Sequence, residues 1–154
     1  MANPLQMLKL KTTALQFIQE VPINAAPKKV WSPILKPSAW FYFNPDKTTR
    51  AKHTLELRPG GQWTSQYKDG TAMLLGTVTY FEPGKLLRLA GPMGMTHLPA
   101  NNVFIFELQP SSDGKKTTLR VGTRLFGFLH SDVKKHVPEA WKMLLGQLKS
   151  AAEG

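Results

Sequence analysis

Cysteine is absent from the sequence. That removes disulfides, thiolate-bound zinc, iron–sulfur clusters and thiol chemistry together. Long apolar runs are missing too. No stretch reaches the roughly 18 residues that a membrane-spanning helix needs. Acidic residues are scarce: ten Asp and Glu stand against twenty Lys and Arg, a net charge of +10. Such an excess invites anionic partners. Yet the positive residues lie singly or in pairs (Lys28-Lys29, Lys115-Lys116, Lys134-Lys135), without the longer basic block or nucleic-acid motif that would point to specific nucleic-acid binding. The four histidines, His53, His97, His130 and His136, show no HxH, HxxxH or HExxH spacing, so no metal and no cofactor is expected. A P-loop, a dinucleotide fingerprint and a Gly-x-Ser-x-Gly elbow are also missing. Lys9 and Lys11 fall where a signal peptide would carry its apolar region, which points to a cytoplasmic protein. Residues 1–12 read as a frayed lead-in.

What is present is a chain of 154 residues, 42% apolar, enough to bury one full core. A single domain over 1–154 is expected, with its core over 13–152. The clearest pattern is the last one. Val137, Trp141, Leu144, Leu145, Leu148 and Ala152 recur at three- and four-residue steps and make one apolar stripe on a helix over about 131–152. Pro138 interrupts it, so the helix either begins near Val137 or carries a kinked first turn.

Ahead of that helix the chain reads as strands. Thr13–Ile23 alternates as a first strand. Pro27 suits the start of a short helix, with Asn24 as a candidate cap. Pro33 and Pro37 keep it short, and the aromatic run Ser38–Phe43 reads as a second short helix or turn. Six strands follow, at about 53–58, 62–67, 71–81, 85–90, 102–108 and 117–129, separated by Pro-Gly-Gly, Asp-Gly, Pro-Gly and Ser-Asp-Gly turns. The loop 91–101 is long for a hairpin, and long loops often carry function. The expected architecture is α+β: a seven-stranded antiparallel sheet wrapped around a long C-terminal helix, with two short helices after the first strand.

Alternation assigns the faces. His53, Leu55 and Leu57 share one side, as do Trp63, Ser65 and Tyr67, and then Gly76, Val78 and Tyr80. Leu87 and Leu89, then Phe104, Phe106 and Leu108, then Leu119, Val121 and Thr123 complete the inward set. Arg88, Glu107 and Arg120 fall outward and suggest a cross-strand charge ladder. Val103, Ile105 and Met73 also read as outward, and a cluster of exposed apolar side chains there suggests a homodimer interface.

The order β-αα-β6-α, together with several local patterns, resembles the helix-grip fold of the SRPBCC (START/Bet v 1-like) superfamily. These patterns are Ala26-Pro27-Lys28-Lys29-Val30-Trp31, Arg58-Pro59-Gly60-Gly61, Gly76-Thr77-Val78 leading to Glu82-Pro83, and Ala140-Trp141 with Leu144-Leu145 and Leu148-Lys149. The closest resemblance is to the AHSA-like family, named after the activator of heat-shock-protein ATPase. Ala140 departs from the glycine common before that tryptophan. The resemblance implies a deep, largely apolar cavity between sheet and helix, used for lipids, polyketides or other hydrophobic ligands, and, in some members, cyclase or hydrolase activity. It would be lined by Trp40, Phe43, His53, Leu55, Trp63, Tyr67, Val78, Tyr80, Leu87, Leu89, Phe104, Phe106, Leu119, Val121, Trp141, Leu144, Leu145 and Leu148, with His97 at its mouth.

Three functions follow as expectations. The first is binding of a hydrophobic or aromatic small molecule. The second is a polyketide cyclase-like or hydrolase-type enzyme using His53, Tyr67 or Tyr80, although no catalytic constellation is visible in the sequence. The third is a chaperone-regulating interaction module.

Overall fold

The computed structural model describes residues 11–154; most of the expected lead-in lies outside the described residues. β1 (Thr13–Ile23) is followed by α1 (Pro27–Ile34) and one 3₁₀ turn at Pro37–Ala39. Then come β2 (Lys52–Leu55), β3 (Gln62–Gln66), β4 (Ala72–Glu82), β5 (Leu86–Gly91), β6 (Ala100–Pro110) and β7 (Thr117–Gly127), and the chain closes with α2 (Val133–Glu153). All neighbouring strands are antiparallel, in the order β1-β7-β6-β5-β4-β3-β2. This is the α+β arrangement expected, with one difference. The second short helix is a single 3₁₀ turn, because Pro37 holds Lys36 out of helical geometry (φ −125°, ψ 72°). Asn24 does not cap α1 either. Its backbone N–H donates to Glu153 Oε1 at 2.8 Å, and Pro27 alone marks the helix start.

α2 buries the stripe read from its sequence: Trp141, Leu144, Leu145, Leu148 and Ala152, with Val137 partly buried and Val133 added one turn ahead of it. The helix therefore has a first turn ahead of Pro138. His136 N–H donates to the Asp132 carbonyl at 3.0 Å, and the Pro138 carbonyl accepts from Gln19 Nε2 at 2.9 Å, which ties this part of the helix to β1. At the other end Lys149 Nζ reaches the Pro22 carbonyl at 2.6 Å and Glu153 at 2.8 Å. Gly146 is exposed, with open space where a Cβ would stand.

The inner faces of β5, β6 and β7 follow the alternation. Leu87, Leu89, Phe104, Phe106, Leu108, Leu119 and Val121 are all in the core. β4 does not alternate regularly. It carries one irregularity opposite Trp63/Thr64, which sets Leu75 outside the pairing, and another between Val78 and Tyr80, which does the same for Thr79. Each extra residue reverses the parity of sequence against face. Met73 thus packs against the core and is not outward, whereas Tyr80 pairs with Arg88 on the outer side. Val103 and Ile105 are outside the core cluster, and Ile18 is 46% exposed beside Gly122 and Ile105. The outer charges align as Glu20–Arg120–Glu107 in register. Arg88 is offset from them and stacks over Tyr80, 5.2 Å from its centroid.

Two glycines make room for the core. A Cβ on Gly76 would stand 2.7 Å from Phe104 Cζ, and one on Gly91 would stand 2.5 Å from Gly76 Cα and 2.8 Å from the Leu75 carbonyl. The Gly91 collision is with backbone and cannot be relieved by a rotamer change. Gly91→Ala is expected to lower the free energy of unfolding by about 1–3 kcal/mol, read from urea midpoints. Gly122→Ala, with nothing within 4 Å of its Cβ, serves as the control and is expected to stay within about 0.5 kcal/mol of the parent.

Candidate functional site

The centre of the helix–sheet interface is solid. Trp40, Trp63, Phe104 and Phe106 are each at most 1% exposed. Their rings meet edge-on or tilted: Trp40 with Trp63 at 6.1 Å, Trp40 with Phe106 at 6.0 Å, and Phe106 with Trp141 at 6.0 Å between centroids. These are the favourable aromatic geometries. α2 pins the segment that delivers Trp40. With its amide nitrogen toward them, Gln147 donates to the Trp40 and Tyr42 carbonyls at 2.7 and 3.0 Å, while Trp40 Nε1 donates to the Pro33 carbonyl at 2.9 Å.

Free space appears at the end of this layer, under the N-terminal half of α2. The cavity is about 100 Å³. Val137, Ala140, Trp141 and Leu144 of α2 form its roof; Phe41 and Phe43 close one side. Met93 and Met95, from the loop between β5 and β6, close another, and Asn102 and Leu125 form the sheet side. Met93 is held in a left-handed conformation (φ 45°), which costs a non-glycine residue about 1 kcal/mol or more. Its N–H donates to the Leu75 carbonyl at 2.8 Å, anchoring the loop to the first irregularity of β4. No titratable side chain is among those lining this cavity. Larger hollows elsewhere are wet surface grooves. One of about 540 Å³ is bordered by Tyr42, Lys47, Arg50 and Lys52, and one of about 430 Å³ by Asn24, Ser111 and Lys149.

Of the residues read from the sequence as cavity-lining, Phe43, Trp141 and Leu144 border this space. Trp40, Trp63, Val78, Leu87, Leu89, Phe104, Phe106, Leu119, Val121, Leu145 and Leu148 are packed in the core, with Leu55 partly buried against it. Tyr67 and Tyr80 stand on the surface, 45% and 43% exposed. Tyr67 follows the last paired residue of β3, and Tyr80 is turned out by the second irregularity of β4, its hydroxyl donating to Glu82 Oε1 at 2.7 Å. Phe43 is 63% exposed and only rims the opening. His97 is exposed on the loop, 6.1 Å from His130 between ring centroids. Sequence reasoning missed Met93, Met95, Asn102, Leu125, Val137 and Ala140. The length of the 91–101 loop was the one signal that pointed to this end of the molecule.

His53 sits beside the aromatic layer and is half-buried. Its Nδ1 accepts from Trp63 Nε1 at 3.1 Å, and its ring lies 5.3 Å from that of Phe41. Ser38 Oγ accepts from the His53 N–H at 2.8 Å and donates back to its carbonyl at 3.3 Å. Protonating Nδ1 would set two donors against each other. Burial holds the His53 pKa below that of a free imidazole, and a hydrogen bond with the Phe41 backbone opposes this more weakly. Ser65, opposite His53 across β2 and β3, is 2% exposed. Its hydroxyl has no hydrogen-bond partner among the described residues.

The family model described as "Activator of Hsp90 ATPase homolog 1-like protein" matches residues 24–153. The chain belongs to this family. Its fold agrees: β1 and the sheet that grips α2 reproduce the helix-grip arrangement of the SRPBCC superfamily. Among curated proteins none matches. Among solved structures, an uncharacterized protein from Rhizobium leguminosarum is 15% identical with a TM-score of 0.74, over 95% of this chain and 99% of that one. A conserved protein of unknown function from Enterococcus faecalis is 19% identical with a TM-score of 0.67, over 94% and 75%. DynU16, of the dynemicin biosynthetic locus, is 18% identical with a TM-score of 0.64, over 88% of this chain and 46% of that one. At these identities the likeness is one of fold.

Two outcomes test this description. Because the folded pKa of His53 is depressed, the unfolded chain binds more protons between the folded pKa and about 6.5. The stability from neutral His53 is thus complete above about pH 6.5 and is lost as pH falls from there toward the folded pKa. Thermal midpoints from pH 8 to 5 are expected to fall less steeply for His53→Gln than for the parent; equal slopes would refute the assignment. Ser65→Ala removes a hydroxyl that costs about 1–3 kcal/mol when left unpaired, so denaturant midpoints are expected to be unchanged or higher. A loss above about 1 kcal/mol would show that Ser65 has a partner in solution.

Proposed function

We propose that this protein binds a small, neutral hydrophobic or aromatic molecule in the cavity beneath the N-terminal half of α2. The observation that carries the proposal is the mainly apolar lining of that partly open space, roofed by Ala140 and Trp141 and flanked by two methionines. Thioether side chains are adaptable and pack well against rings. Size narrows the occupant. A dry cavity of about 150 Å³ accepts benzene, and pockets for drug-sized ligands run to about 300 Å³ or more. At about 100 Å³ the space suits a single ring or a short branched chain. A lipid or polyketide would have to displace Phe41, Trp141 or the methionine loop. The presence of a fold relative, DynU16, in a biosynthetic locus is in keeping with small-molecule binding.

The cyclase or hydrolase alternative needs an acid or base at the ligand. His53, Tyr67 and Tyr80 are not among the residues lining this cavity, so geometry favours carriage or sensing over catalysis. A chaperone-regulating role rests on the family description alone.

Native mass spectrometry of protein purified from its host is expected to show a small apolar adduct. Ala140→Leu adds three carbons to the cavity roof at a helix position that tolerates leucine. It is expected to abolish the adduct while keeping the thermal midpoint of the ligand-free protein within a few degrees. An adduct that survives Ala140→Leu would place the ligand elsewhere, and the absence of any adduct from the parent protein would count against the proposal.

A further inference from the structure

Asn102 is the one side chain on this cavity that carries an amide oxygen. It is 2% exposed. Its carboxamide cannot rotate freely, because Nδ2 donates to the Gly91 carbonyl at 3.2 Å and to the Pro92 carbonyl at 3.1 Å. Turning the group over would bring its oxygen against those two carbonyl oxygens, so the backbone fixes which atom is which. Both amide hydrogens are used, and the Asn102 N–H donates to Asn101 Oδ1 at 2.9 Å. No donor among the described residues bonds Asn102 Oδ1. With its nitrogen taken up by the backbone, the oxygen is the end of the amide left for a donor on a side chain that borders the cavity.

We infer that Asn102 Oδ1 is the recognition point of the cavity, selecting a ligand that brings one hydrogen-bond donor on a small ring, such as a phenolic hydroxyl or an aromatic amine. This rests on the cavity being a binding site, as proposed above. It sharpens that reading in two ways. An acceptor oxygen repels carboxylates and ketones, which offer only lone pairs, and an uncharged lining excludes ions because a buried charge would have no partner. The geometry is built ahead of the ligand. Gly91 and Pro92 begin the loop that carries Met93 and Met95, so the same amide that reads the donor also fastens the methionine wall. Ligand and loop are therefore coupled through one side chain.

The test uses the unaltered protein and four probes of similar size: phenol, benzene, anisole and benzoate. Binding is read from the Trp141 indole resonance and the Met93 and Met95 methyl resonances in NMR titrations. Phenol is expected to bind about two- to tenfold more tightly than benzene, the size of one net hydrogen bond, and more tightly than anisole, whose ether has no donor. Benzoate is expected to move none of these resonances. In Asn102→Leu the phenol preference is expected to vanish or reverse. Should that variant fold poorly, the comparison of phenol with benzene and anisole on the parent protein decides alone. Equal or tighter binding of benzene or anisole, with the same resonances moving, overturns the role of Asn102 and leaves the cavity proposal standing. If neither phenol nor benzene moves Trp141, Met93 or Met95 at millimolar concentration, the cavity proposal fails and this inference with it.

Discussion

Phe104 occupies the volume that a side chain at position 76 would take, and much of the molecule depends on that exchange. Because Gly76 has no Cβ, the Phe104 ring can lie low on the sheet and meet Trp63 at 6.1 Å. Trp63 in turn supports Trp40 and Phe41, and Phe41 and Phe106 meet Trp141 of the helix. The closing helix is held through a chain of rings, each placed by the one before. Interiors packed this densely transmit a displacement and do not absorb it. A change on β4 is therefore felt beneath α2.

The cavity lies where this chain of rings ends. Helix and sheet converge tightly at the middle, and toward the first turns of α2 the sheet side is continued by a loop. Loop side chains and strand-end residues take over from inward-facing strand residues there. The proposed binding space is thus bounded by a rigid aromatic block on one side and by Met93 and Met95 on the other. Adaptation to a ligand falls to the methionine side. His53 and Ser65 lie on the aromatic side.

Regular periodicity was legible and irregularity was not. The stripe Trp141, Leu144, Leu145, Leu148 and the alternation of Phe104, Phe106, Leu119 and Val121 stand out because nothing breaks their period. The same logic misplaced Tyr80 and Met73, since an extra residue in a strand leaves no mark on composition. Tyr67 failed for a different reason: strand ends are the least determined part of any pattern. The cavity wall was hidden more deeply. Asn102 reads locally as the first residue of a strand, the methionines as loop filler, and Ala140 as a neutral helix former. What unites them is the third dimension. The family resemblance supplied the fold and the existence of a space beneath the helix; the size of that space came only from the packed rings.

The two irregularities of β4 have a mechanical meaning as well. A strand holding extra residues against its neighbours is a longer strip bonded to shorter ones, and such a laminate must curl. Leu75 and Thr79 supply that surplus length. Removing Thr79 would leave the inward side chains on their faces and the ladder more regular, yet the sheet would lie flatter; removing Leu75 would also take a buried side chain from the core. The grip on α2 is then encoded partly in a count of residues along one strand, over and above the contacts those residues make.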